Sequence, residues 1–186
     1  MKIAIVSDTH GYFDSHLSPH LKSVDEILHA GDVGTDAVLD QLRTFAPVEA
    51  VRGNVDSPAL GLPPTITKSY GGVQIHMSHE LPKSQSVIQE WSNAAPLEGK
   101  PAEHCRRFLD AFPENCQVVI FGHSHEPCAI ILGGKLFFNP GAAGKKRFSL
   151  PRCFGMLEVS SQGVRATFIG LERYNEDLPE SIDLPV

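Results

Sequence analysis

The chain carries no excess of positive charge: 16 Lys and Arg stand against 22 Asp and Glu, for a net charge of −6. That lack excludes nonspecific nucleic-acid binding through a basic face. A phosphate substrate remains compatible, because bound metal reverses the local field. No apolar run approaches the roughly 20 residues that a membrane-spanning helix requires, so no membrane association is expected. The first residues, MKIAIVSDTH, run straight into a strand pattern and meet Asp8. A signal peptide is not expected, and the cytoplasm is the expected compartment. Four widely spaced cysteines (Cys105, Cys116, Cys128, Cys153) never form C-x-x-C, and reduced thiols are expected. Charged residues make up only 20% of the 186 residues and hydrophobic ones 41%, which is enough to build a core in one domain. Gly (16) and Pro (14) are spread along the chain and signal tight turns, not disorder.

Histidine is what the chain has in abundance: nine in 186 residues. Their positions follow from the strand pattern. Residues 1–6, 24–29 and 48–51 are short apolar runs. A helix is expected over 14–22, capped by Asp14 or Ser15, and another over 36–44, capped by Thr35. Alternating strands and helices predict a parallel sheet. Gly71-Gly72, Gly133-Gly134 and Ser160-Ser161-Gln162-Gly163 each separate two strand-like runs as hairpin turns, and 118–121 is a further buried strand. Three hairpins after three strand–helix units predict a second, largely antiparallel sheet packed on the first. Helices are expected over 84–93 and 102–111 with a loop between them, and the acidic tail from Glu172 is expected to be peripheral.

Each apolar run ends in polar groups: Asp8-Thr9-His10, Gly31-Asp32, Gly53-Asn54-Val55-Asp56, Ser78-His79 and Gly122-His123-Ser124-His125. The carboxyl ends of parallel strands are where open α/β sheets bind ligands. Asp8, Asp32, Asn54, His10, His79, His123 and His125 offer two carboxylates, one amide oxygen and four imidazoles, too many for one ion. Mixed imidazole and carboxylate donors suit Mn, Fe, Zn, Ni or Co better than Mg or Ca. Two such ions activate a bridging water and clamp a phosphoryl group. His76 points to the opposite strand face from His79 and reads as packing. Asp56 reads as a loop-fixing carboxylate and His29 as core or as support for the ligands. His16, His20 and His104 read as exposed. Gly141-Ala142-Ala143-Gly144-Lys145-Lys146 lacks the spacing of a phosphate-binding loop, and the two lysines read as a solvated turn.

Taken in order, DxH, GD, GNxD, xH and GHxH resemble the calcineurin-like metallophosphoesterase superfamily over residues 1–170. The closest likeness is to its small single-domain phosphodiesterase branch, which also contains the retromer metallophosphoesterase-like subunit. The Asn139-Pro140-Gly141 turn is similar to that branch as well. The resemblance implies an α/β fold, a four-layer αββα sandwich of two mixed sheets flanked by helices. One domain over 1–186 is expected; residues 82–101, longer than the small branch shows there, read either as a lid-like insertion or as a surface excursion with Trp91 packed on the core. The resemblance also implies two divalent ions, with Mn first: Asp8, His10 and His125 hold one, Asn54, His79 and His123 the other, and Asp32 bridges them. Asp32, Asn54, His79 and His123 are the implied catalytic residues, and Arg147 and Arg52 the implied substrate contacts. The implied activity is hydrolysis of a small phosphodiester by a metal-bridging hydroxide. A non-catalytic protein-binding scaffold is the alternative, and homo-oligomerisation is left open. Two positions depart from the wider pattern. Val55 stands where larger members carry a His, and Glu80-Leu81 stand where the small branch reads Gly-His.

Overall fold

A computed structural model describes residues 1–94, 102–147, 149–172 and 178–185. The chain builds β1 (Lys2–Val6), a 3-10 turn (Ser15–Leu17), α1 (Ser18–Leu21), β2 (Glu26–His29), α2 (Asp36–Arg43), β3 (Val48–Ala50), β4 (Thr65–Tyr70) and β5 (Val73–Ser78). It continues through α3 (Gln85–Ala94), α4 (Glu103–Leu109), β6 (Val118–Ile120), β7 (Cys128–Leu132), β8 (Lys135–Asn139), β9 (Cys153–Ser160), β10 (Gly163–Gly170) and β11 (Ile182–Leu184). One sheet has the order β11-β10-β9-β1-β2-β3 and the other β4-β5-β6-β8-β7.

Period-2 alternation sorts the strand residues into layers. Ile3 and Ile5 face the core between the sheets together with Ile75, Met77, Val118, Ile120 and Phe138. Ala4 and Val6 face the opposite way, onto Val38, Leu39 and Leu42 of α2. Val119 and Phe137 leave the second sheet outward, toward Ile88 of α3 and Phe108 of α4. Three cores separated by two mixed sheets make the αββα sandwich.

The expected second sheet needs correction. The hairpin β9–β10 does not join it; β9 pairs antiparallel with β1, Ile3 opposite Leu157. The remaining sheet is mixed, because β5, β6 and β8 run parallel between the antiparallel outer strands β4 and β7. A hairpin turn is a local signal, whereas the sheet it joins is decided by burial. Nearly all of β9 is buried, so it needs cover on both faces and takes a central place. The tail is also less peripheral than expected: β11 adds an edge strand to β10, with Leu184 buried.

The helix expected over 14–22 is a 3-10 turn followed by α1, and Asp14 is its cap, accepting from the His16 N–H. Thr35 sits at the N-cap of α2 but makes no side-chain cap bond. Within 82–101, α3 buries Ile88 and sets Trp91 against Phe108, with ring centroids 5.7 Å apart. The expected loop at 95–101 lies outside the described residues. All four cysteines are free thiols. Among the described residues no helix is long and apolar enough to cross a membrane.

Candidate metal centre

Six parallel strands, three from each sheet, end on the same edge of the sandwich, and the polar residues predicted from the sequence follow five of them. The two sheets meet there. Within the second sheet the Gly122 N–H donates to His79 O at 3.0 Å, and across the two sheets the His123 N–H donates to Asp8 Oδ2 at 3.2 Å. A Cβ on Gly122 would stand 2.1 Å from Ser7 Oγ, so only glycine lets the β6 loop reach Asp8.

The seven predicted residues come together as two adjoining groups. In the first, His125 Nε2 lies 3.2 Å from Asp8 Oδ1 and 3.2 Å from His10 Nε2. In the second, Asn54 Oδ1 lies 3.1 Å from both His79 Nε2 and His123 Nδ1. Asp32 Oδ2 stands between them, 3.4 Å from His79 Nε2 and 3.9 Å from His10 Nε2. Asp8 is also near both groups, its ligand atoms clustering with His10 and His125 on one side and with Asp32 and His79 on the other. His123 enters neither carboxylate triad and reaches the centre through Asn54.

The backbone is strained at these residues. Asp8, His10, Asp32, His123 and His125 all have positive φ, between 48° and 69°, and no other non-glycine residue among those described does. Each such position costs about 1 kcal/mol or more and persists only where its surroundings enforce it. A strain confined to the proposed ligands is the mark of a site held for function.

The donor set fits a cation. Asp8 Oδ1 is fully buried with no hydrogen-bond partner, while Oδ2 accepts from Ser7 Oγ at 2.6 Å. An unpartnered buried carboxylate oxygen is costly unless a positive charge satisfies it. His79 Nδ1 donates to Ala30 O at 2.8 Å, which turns Nε2 toward Asn54 and Asp32. Burial opposes ionisation of His79, but the Asp32 hydrogen bond and the Asp8 charge outweigh it and raise its pKa. Burial likewise opposes the charge on Asp32, yet hydrogen bonds from His79 and the Val55 N–H hold its carboxyl below the usual range. Burial and the Arg147 guanidinium lower the His10 pKa against the pull of Asp32 and Asp8. The exposed Arg147 is thus felt at His10, and Arg52 lines a cleft with Asn54 and His79.

Behind the donors, Asp56 accepts the N–H groups of Val33 (3.1 Å), Gly34 (2.7 Å) and Gly53 (2.8 Å), pinning the β2 and β3 loops together. Asn139 does the same for the β6 loop, donating to Gly122 O and Ser124 Oγ at 2.9 Å each. His76 packs edge-on against Phe112, away from the centre. One support went unseen in the sequence. Buried Asp14 pairs with Arg152, whose Nε donates to Gly144 O at 2.6 Å and so fixes the turn that carries Arg147. Nothing in the spacing of residues 14 and 152 signals that pair.

His29 lies beneath the centre, fully buried. Thr9 Oγ1 donates to Val33 O and therefore accepts from His29 Nε2 at 2.9 Å, leaving Nδ1 to accept the Gly31 N–H. Burial pushes its pKa down from 6.5 to about 4. The unfolded chain takes up this proton near pH 6.5 and the folded chain only near 4. The corresponding stability is therefore complete above 6.5 and lost as pH falls through 4, about 3 kcal/mol in all. An NMR titration should find the His29 ring neutral from pH 8 down to 5; a midpoint above 6 would refute the neutral, buried assignment.

Residues 1–162 match the model of the Calcineurin-like phosphoesterase superfamily domain. A "Probable metallophosphoesterase" of Methanothermobacter thermautotrophicus is 28% identical over 183 residues, 91% of this chain and 92% of that protein. Among solved structures, Vps29 of Chaetomium thermophilum superposes with a TM-score of 0.74 at 18% identity, covering 100% of this chain and 97% of the other. Vps29 of Entamoeba histolytica complexed with Zn²⁺ gives a TM-score of 0.71 at 21% identity and covers 99% of each chain. The chain belongs to the calcineurin-like phosphoesterase superfamily, and its likenesses place it with the small branch of that family.

Proposed function

We propose that the protein is a two-metal phosphodiesterase. The observation that carries this reading is the convergence of seven metal-type donors on one sheet edge around a buried, unpartnered oxygen of Asp8. Asp8, His10 and His125 hold one divalent ion; Asn54, His79 and His123 hold the second; Asp32 faces both. Bound there, the ions supply an activated water and a positive clamp for phosphoryl oxygens. The chain's own residues do the rest. Arg52, which lines the cleft, and Arg147, whose charge is felt at His10, carry guanidinium groups suited to a phosphate. Val55 offers no proton to a departing group, which favours esters with good leaving groups. Glu80 lies at the edge of the same cleft, where its carboxylate disfavours a dianionic monoester relative to a monoanionic diester.

The donors also favour one class of metal. Four imidazoles among seven ligands match Mn²⁺ or a similar first-row ion better than Mg²⁺. After chelation, Mn²⁺ is expected to restore hydrolysis of bis-p-nitrophenyl phosphate at least about ten-fold better than Mg²⁺, with the diester preferred to p-nitrophenyl phosphate. Equal rescue by Mg²⁺ would contradict the ligand assignment. Two bound ions per chain without turnover of any phosphoester would favour the protein-binding scaffold instead.

A further inference from the structure

Two clefts flank the candidate centre. The first, about 440 Å³, is mixed, with Arg52, Asn54, Thr65 and His79 beside Pro58 and Pro64. The second, about 260 Å³, lies on the His123 side and is lined by Leu81 and Phe121 together with Lys83, Ser84, Gln85 and Ser124. Glu80 borders both. Leu81 and Phe121 belong to the core between the second sheet and its helices, so the floor of the second cleft is the uncovered top of that core.

The second cleft is preformed. Ser124 Oγ donates to Gln85 Oε1 at 3.0 Å and accepts from Asn139 Nδ2 at 2.9 Å, which fixes the start of α3 against the β6 loop. Phe121 is only 3% exposed and is not free to move aside. A phosphodiester carries two ester arms, and a phosphorus atom held at the centre sends one arm to each side. An apolar cavity of about 150 Å³ holds benzene, so this cleft has room for one substituted ring.

We propose that the cleft lined by Leu81 and Phe121 is the subsite for one ester arm of the substrate, and that it selects a flat apolar group the size of a single aromatic ring. The proposal rests on the phosphodiesterase reading above. It makes Leu81 a specificity-determining residue and gives a physical meaning to Glu80-Leu81 in place of Gly-His. The cleft beside Arg52 is left for the second, hydrophilic arm.

The test compares phenylphosphonate with methylphosphonate, which share a phosphoryl head and differ only in the ring. On the Zn²⁺-loaded protein, calorimetry should find phenylphosphonate binding at least about ten-fold tighter. NMR shifts should cluster at Leu81 and Phe121. Leu81→Asn, which removes the apolar wall without adding charge, should erase the preference and leave the methylphosphonate Kd within about three-fold. The same variant should lower kcat/KM for bis-p-nitrophenyl phosphate and spare hydrolysis of glycerophosphoethanolamine, followed by ³¹P NMR. Equal affinities for the two phosphonates in the wild-type protein, or no binding of phenylphosphonate, would overturn the subsite whether or not the variant folds. Preferential binding of phenylphosphonate without hydrolysis of either diester would overturn the phosphodiesterase reading and leave the subsite standing.

Discussion

Asp32→Ala is expected to abolish phosphodiester hydrolysis and to strip the protein of metal. The Asp32 carboxylate faces His10 of one group and His79 of the other, so its loss weakens the hold on both proposed ions. Losing a charge that serves two cations costs on the order of 4 kcal/mol, or about 10³-fold in kcat/KM. Alanine also brings a separate penalty at this position, where φ is 53°. Asp32→Asn removes that complication. Asparagine tolerates the left-handed region, and its amide oxygen can still accept the Val55 N–H that Asp32 Oδ1 takes at 3.1 Å. Asp32→Asn should therefore keep the wild-type melting temperature without metal to within a few degrees and still lose metal and activity. Elemental analysis and turnover of bis-p-nitrophenyl phosphate measure both. Two ions per chain and full activity in either variant would remove Asp32 from the centre.

Gly53→Ala, a single methyl group, is expected to do nearly as much damage. Its Cβ would stand 2.0 Å from Asp32 Oδ1 and 2.1 Å from the Asp32 backbone nitrogen. Neither atom can yield easily. Asp32 is fixed between the β2 strand and the loop pinned by Asp56, and the Gly53 N–H is itself held by Asp56 at 2.8 Å. Overpacking of this kind costs about 1–3 kcal/mol, which for a chain of this length lowers the melting temperature by several degrees. The displacement falls on Asp32 and its neighbour Asn54, so activity should drop by about 10²-fold, as small misplacements of reacting groups do. Gly61→Ala is the control. Gly61 has φ 63°, but a Cβ there would meet nothing within 4 Å, so the substitution should cost only about 1 kcal/mol and leave metal content and turnover unchanged. Wild-type stability and activity in Gly53→Ala would mean that the β2 and β3 loops are not locked as described.

The sequence by itself determined the apolar runs and the polar groups that end them. Ile3, Ala4, Ile5 and Val6 are all apolar, as a strand covered on both faces must be, but such a run does not say which side chain enters which core. The polar groups Asp8, Asp32, Asn54, His79 and His123 were legible for a related reason: each follows directly on an apolar run whose direction a parallel sheet fixes. Asp56 was legible as a loop-fixing carboxylate and His76 as a packing residue on the same local grounds. Only the tertiary structure decided the rest. It placed the β9–β10 hairpin beside β1, across some 150 positions of sequence, because pairing is chosen by burial on both faces and not by the turn. It left Asp8 Oδ1 without a partner, joined Asp14 to Arg152, and brought Leu81 and Phe121 into one cleft beside His123. Those features belong to pairs of distant segments, and a pattern read along one segment carries no record of what the other segment brings to it.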